Sequence, residues 1–344
     1  MQTEITKSQP LLNDRGHIIH PGWARQLFWE YDRSRIHASK WRIKEWDYYL
    51  VANEHYGVAF TISDLGYIGL ISVSFLNFDE NWEHTETVFE PFPFGKYKMP
   101  PTSVTGDVAF HNKQLHLTYD VTPGQRKISC HFFKFYEGKD LNAELSLSQP
   151  DMDTMCIATP WKEKPTAFYY NQKINCLPAT GYATLGDITY EFFPDRDAGV
   201  LDWGRGVWTY DNTWYWGTGS GFLDGEPFGF NLGYGFTDRS SASENVLFYK
   251  NKAHKLDEVS FEIPRKADGS YDYLKKWKIT SNDGRLNASF CPVLNRHADM
   301  NVLVIATDQN QVFGHLTGTA VLDDGTKLNF SDFFCAIEVV HNRY

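Results

Sequence analysis

The chain repeats itself, and that repeat limits its possible folds more than any other feature. Gly181-Tyr-Ala-Thr-Leu-Gly-Asp-Ile-Thr-Tyr-Glu-Phe-Phe193 resembles Gly318-Thr-Ala-Val-Leu-Asp-Asp-Gly-Thr-Lys-Leu-Asn-Phe330 position for position across a tight turn. Earlier in each half, Asp64-Leu-Gly-Tyr67 is echoed by Asn231-Leu-Gly-Tyr234, each following a Trp-rich strand, Trp46-Asp-Tyr-Tyr in one case and Trp214-Tyr-Trp-Gly in the other. Each half then ends on an Arg-bearing strand, Val200-Leu-Asp-Trp-Gly-Arg205 and Ile337-Glu-Val-Val-His-Asn-Arg343. One order of signals met twice marks a duplicated unit. A length of 344 residues also suits two domains, each large enough to bury its own core.

The unit is a β unit. Trp46–Val51, Val58–Ser63 and Ile68–Phe78 read as meander strands, and Gly106–His111, Gln114–Tyr119, Lys127–Phe135 and Leu141–Leu147 as further short strands bounded by turn residues. No long stretch carries apolar residues at helical spacing, so helices are expected to be few and short. Residues 1 to about 40 read as an extended arm, and Pro91, Pro93, Pro100 and Pro101 make residues 90–101 a loop or lid. Closing a sheet is the usual way to remove its exposed edges. The expected fold is therefore all-β: two tandem antiparallel barrels or strongly curved sheets, residues 1–208 holding the arm and first barrel and residues 209–344 the second.

Charge and cysteine usage exclude several functions. Lys and Arg total 33 against 43 Asp and Glu, a formal charge of −10, so no field gathers nucleic-acid phosphates or an anionic membrane surface. The first residues lack the apolar core of a signal peptide, and no segment has the roughly 18 uninterrupted apolar residues of a spanning helix. A soluble cytoplasmic protein is expected. The 5 cysteines are scattered with no C-x-x-C pair, so each reads as a small buried hydrophobe, with Cys176 as a nucleophile the weaker alternative. No His pair has ligand spacing next to a carboxylate, and Gly217-Thr-Gly-Ser-Gly221 lacks the ending of a phosphate loop, so neither metal nor cofactor is expected.

Between the halves, Gly199–Trp216 packs four Trp, two Tyr, two Asp and one Arg into eighteen residues. Asp202-Trp-Gly-Arg-Gly-Val-Trp208, Asn171-Gln-Lys-Ile-Asn-Cys-Leu-Pro178, Asn231-Leu-Gly-Tyr-Gly-Phe-Thr-Asp238 with Glu244-Asn-Val-Leu-Phe248, and Phe313-Gly-His-Leu-Thr-Gly-Thr319 together resemble the bacterial family called domain of unknown function 2804. The layout is more distantly similar to tandem lipocalin-like (calycin) proteins such as the carotenoid and kievitone hydratases. The Leu201-Asp-Trp-Gly204 stretch and the Trp214-Tyr-Trp216 strand resemble the mid-chain junction of those relatives.

Asp202 is the first candidate for chemistry, because a carboxylate in an apolar strand is costly unless paired. Paired with Arg205 or another cation it is structural; unpaired, it becomes a general acid. Glu244 and Tyr210 are the further acid–base candidates, with a surface position the plainer reading of Glu244. Trp203, Trp208, Trp214 and Trp216 form a candidate aromatic wall, and Asn175, Asn231, Arg205 and Tyr234 are candidate polar contacts. For Arg205 and Arg343 a latch across the first-strand Trp46 and Trp214 is the better reading than ligand contact. The expected partner is a small, mostly apolar lipid- or terpenoid-like molecule, converted by hydration, dehydration or isomerisation. A non-catalytic carrier and a carbohydrate-active protein with paired carboxylates are the alternatives.

Overall fold

A computed structural model describes residues 2–302 and 305–343. The arm contributes three short strands, β1 (Gln9–Pro10), β2 (Gly22–Ala24) and β3 (Trp29–Glu30), and then the 3-10 turn Arg33–Arg35, the one helical element among the described residues. The first half continues through β4 (Ile43–Ala52), β5 (Tyr56–Asp64), β6 (Ile68–Asn77), β7 (Trp82–Pro91), β8 (Val108–His111) and β9 (Leu115–Thr122). It is completed by β10 (Gln125–Tyr136), β11 (Lys139–Ser148), β12 (Met155–Trp161), β13 (Lys164–Leu185), β14 (Ile188–Phe192) and β15 (Ala198–Val207). The second half holds β16 (Asp211–Leu223), β17 (Glu226–Tyr234), β18 (Val246–Tyr249), β19 (Lys252–Lys255) and β20 (Val259–Glu262), followed by β21 (Trp277–Ser281), β22 (Leu286–Val302), β23 (Ile305–Val321) and β24 (Lys327–Arg343).

The strand order is β7-β6-β5-β4-β15-β13-β11-β10-β9-β8 in the first large sheet and β19-β18-β17-β16-β24-β23-β22-β21-β20 in the second. In both, the last strand returns beside the first, which curls each sheet into one of two tandem lipocalin-like barrels. The two repeated segments are hairpins in matching places, with Gly181 opposite Phe192 and Gly318 opposite Phe330. The sequence left β7 and β12 unassigned, and in the second half β19 to β22 as well. It also did not show that β13 runs 22 residues through a bend at Cys176, whose φ of 58° breaks the pairing with β15.

Side-chain alternation gives each barrel its own core and leaves the outer faces of β4, β15, β16 and β24 to meet each other. Tyr49, Val51, Leu201 and Trp203 face the first core, while Ile337 and Val339 face the second. Their neighbours Tyr48, Leu50, Val200, Trp216 and Ala336 form a separate apolar seam with Phe78, Leu294 and Phe313. The arm straps the assembly together: β2 pairs with β12 in the first half, and the Thr3 amide donates to Ser241 O in the second.

Candidate functional site

Asp202 projects from β15 into the seam, away from the first core. Its Oδ1 accepts from Trp46 Nε1 at 3.2 Å and from Asn171 Nδ2 at 2.7 Å, and Lys173 Nζ lies 2.6 Å from Oδ2. The cation that pairs with it is thus Lys173, on β13, and not Arg205. Gly204 makes the arrangement possible, because a Cβ there would lie 2.1 Å from Trp46 Cζ2. The indole therefore lies flat across β15 and reaches the carboxylate.

The second half contains the same unit. Gly204 is opposite Trp46 and Asn171, and Val340 is opposite Trp214 and Gln309; Asp202 is opposite Tyr48 and Lys173, and Glu338 opposite Trp216 and Gln311. Trp214 Nε1 donates to Glu338 Oε1 at 2.9 Å, and Gln309 Nε2 to Oε2 at 2.9 Å, which repeats the Trp46 and Asn171 bonds. Where Lys173 stands in the first half, Gln311 donates to Glu338 at 3.4 Å in the second. The register also corrects the latch expectation. Arg205 corresponds to His341, so Arg343 is not its counterpart. Arg205 stacks on Trp203 of its own strand at 4.2 Å, inside the first barrel. There it donates to Asp47 Oδ1 at 2.8 Å and to the carbonyls of Trp46 and Pro100.

Glu244 joins the cluster from the segment before β18. It is buried, and its Oε2 lies 3.3 Å from Asn231 Nδ2 and 3.4 Å from the Tyr169 hydroxyl. Its carboxyl lies over Gly233, where a Cβ would fall 2.2 Å from Oε1. Asn231 also accepts from Trp216 Nε1 at 2.7 Å, and the Lys173 ammonium sits 4.5 Å from the centre of the Trp216 ring. Burial, reinforced by the charge of Asp202, raises the Glu244 carboxyl above the usual carboxylate range, and Lys173 only partly offsets this. Burial raises Glu338 in the same direction, against the hydrogen bond from Trp214.

Trp208 is the hub of an aromatic cluster above these acids. Its ring centre lies 5.9 Å from Trp46, 5.9 Å from Tyr169, 5.4 Å from Trp161, 5.4 Å from Trp214 and 5.1 Å from Phe236. Farther along the seam, Leu50, Val200, Thr218, Phe313 and Ala336 line a recess with a cavity volume of about 20 Å³, enough for one water. At this point the seam is filled by side chains.

Of the residues singled out in the sequence, the fold gathers Asp202, Glu244, Asn231, Trp208, Trp214 and Trp216. The others lie elsewhere. Tyr210 is 41% exposed beyond the end of β15, with its ring under Arg42. Trp203 and Arg205 belong to the first core, and Tyr234 stacks on Tyr215 against the second. Asn175 staples the barrels, with Nδ2 2.8 Å from Thr218 Oγ1 and 3.0 Å from Phe230 O. Sequence reasoning missed Lys173, Asn171, Tyr169 and Glu338 as site residues. The signal that singled out Asp202, a lone ionisable residue in an apolar strand, applies equally to Glu338 between Ile337 and Val339, whereas Lys173 is hidden in the polar run Asn171-Gln-Lys-Ile-Asn175. Among the described residues no group of His, Cys, Asp and Glu is arranged to hold a metal, and no helix is long and apolar enough to cross a membrane.

Fold and seam together define a tandem lipocalin-like protein with buried carboxylates between its barrels. The chain belongs to the family described as domain of unknown function (DUF2804), whose model matches residues 2–344. No curated protein matches it. Among solved structures it is similar to CghA with Sch210972, with a TM-score of 0.56, 10% identity, and coverage of 98% of this chain and 97% of that one. It is also similar to an AttH-like protein from Nitrosomonas europaea, with a TM-score of 0.53 and 11% identity over 90% and 96% of the two chains. A kievitone hydratase from Nectria haematococca gives a TM-score of 0.53 and 11% identity over 88% of both chains. At such identities the likeness is one of fold.

Proposed function

We propose that the protein binds a small, largely apolar molecule at the seam beneath Trp208 and adds or removes water, or moves a double bond, by acid–base chemistry needing no cofactor. The carrying observation is the contrast between two neighbouring carboxyls. Asp202 takes two neutral donors and pairs with the Lys173 ammonium; Glu244 is buried, and burial makes its carboxyl retain its proton more readily than an ordinary one. A buried carboxyl that keeps its proton beside an ion-paired carboxylate supplies a proton donor and a proton acceptor. The acid is therefore Glu244, while Asp202, the acid candidate in the sequence, serves as the anionic partner. Rings of Trp46, Trp208 and Trp214 would give an apolar ligand its contact surface. The kievitone hydratase and the Sch210972-bound protein support this reading by showing the same fold in such company. Because the seam is packed, entry of a ligand requires the half-buried Trp46, Trp214 and Phe236 to move.

The test incubates the full chain with a cellular metabolite extract and follows species by mass spectrometry. One compound should be consumed as another, differing by one water or isomeric with it, accumulates, and Glu244→Gln should abolish the change while remaining folded. A compound retained by the native protein and released unchanged makes it a carrier. Conversion undiminished in Glu244→Gln overturns the assignment of the acid.

A further inference from the structure

The duplicated carboxylate units differ at one position, and the difference leaves hydrogen-bonding capacity unused on one side only. At the Glu338 unit, Gln311 Nε2 spends its donors on Glu338 at 3.4 Å and on the Tyr48 hydroxyl at 3.3 Å. At the Asp202 unit the equivalent residue is Lys173, which has three N–H donors. One meets Asp202 Oδ2 at 2.6 Å and the ammonium faces the Trp216 ring. Among the described residues no other hydrogen-bond acceptor takes its remaining donors, although its side chain is only 3% exposed. Two residues earlier on the same face of β13, Asn171 is fully buried and its Oδ1 has no hydrogen-bond partner. A buried spare donor and a buried spare acceptor thus flank Asp202. Buried polar atoms left unpaired are costly, and a ligand that pairs both recovers that cost.

Resting on the seam site proposed above, we infer that Lys173 binds a carbonyl oxygen and Asn171 Oδ1 a hydroxyl or water. The substrate class is then an apolar molecule carrying an alkene conjugated to a carbonyl, or its hydrate, the β-hydroxy carbonyl. In the hydration direction, a water held by Asn171 gives one proton to Asp202 as its oxygen bonds to the β-carbon. The alkene electron pair shifts toward the carbonyl, whose oxygen gathers negative charge against the Lys173 ammonium. Glu244 then protonates the α-carbon, and the proton on Asp202 replaces the one Glu244 lost. One water is added and neither carboxyl changes overall. The Glu338 unit has a satisfied amide in place of the ammonium, and it binds no such oxygen.

The test compares trans-chalcone, an apolar enone, with trans-stilbene, a similar shape lacking the carbonyl. A hydrogen bond to a charged donor is worth about 1.5–3 kcal/mol, or roughly 10–100-fold in affinity. Wild type should bind chalcone at least about tenfold more tightly than stilbene and shift the chalcone absorption band to longer wavelength. Lys173→Gln installs the residue that the other half already carries at the same register. Loss of the cation beside Asp202 should lower the unfolding midpoint, so binding is compared on folded protein below that midpoint, where stilbene affinity should be unchanged while the affinity ratio falls to near one and the spectral shift disappears. Equal affinities in wild type, or an unchanged ratio in the variant, overturn the assignment of Lys173 and leave the seam site standing. Saturable binding of neither compound overturns the seam site and this inference with it.

Discussion

At the scale of single residues, two glycines decide where the acids sit. Gly204 lets the Trp46 indole cross β15, and Gly233 leaves room for the Glu244 carboxyl. Gly233→Ala must push Glu244 out of the seam, so any conversion by the wild type should be lost in this variant, with Asp202 and Lys173 untouched. Parallel metabolite-extract assays on folded protein check this; full activity would place the acid elsewhere. The buried Glu244 also has a signature in stability. Its carboxyl is raised in the folded state, which therefore binds more protons than the unfolded chain between the ordinary glutamate value and the raised one. Stability then falls as pH rises through that window. Urea unfolding of wild type and Glu244→Gln should show the variant gaining on the wild type as pH climbs from the ordinary glutamate range, with no difference in slope below it. Arg205 acts oppositely: Arg205→Ala leaves Asp47 buried without its cation, which costs about 3–5 kcal/mol in the same measurement.

At the scale of elements, β13 carries most of what the sequence did not disclose. Its first part supplies Tyr169, Asn171 and Lys173 to the site, and its second part pairs with β11 and β14 in the repeated hairpin. Period-two patterning found the strands β8 to β11, which have one face in a core and one towards solvent, as in β9 and β10. It fails from Ala167 to Leu177, which is buried on both faces by a barrel core and the seam. Charged and amide residues there look out of place in a strand until the second barrel is present to pair them. The duplication itself was legible, as was the seam position of Asp202. The exact correspondence was not: Arg205 and Arg343 match as letters but sit two positions apart in register, because pairing follows the bulges and not the alignment. Asn175, just before the bend, joins this strand to β16 and β17 through Thr218 and Phe230. Asn175→Ala strands those buried acceptors and should cost about 1–3 kcal/mol, read as a shift of the denaturation midpoint with unchanged slope.

At the scale of the molecule, the two barrels are joined through a face that neither can leave exposed. Tyr48, Leu50, Val200 and Phe78 from the first half meet Trp216, Leu294, Phe313 and Ala336 from the second, and all are buried. The polar part of the seam is shared in the same way, with Lys173 against Trp216 and Gln311 against Tyr48. No large-sheet strand is exchanged between the halves, so each sheet can form from its own segment, but an isolated half would present a broad apolar surface with buried acids set in it. Residues 1–208 and 209–344, expressed separately, should therefore aggregate or self-associate. Refolded together they should recover a one-to-one complex by size-exclusion chromatography, with Trp208 and Trp214 fluorescence as in the intact chain. The arm adds to this, since Gln2 contacts Ser243 and Leu256, next to Glu244. Removing residues 1–24 should weaken association of the halves and loosen the Glu244 segment, detectable as faster amide exchange over residues 238–245. Two soluble, monomeric halves would show that each barrel is complete by itself, and the acid cluster would then have to be explained without the seam.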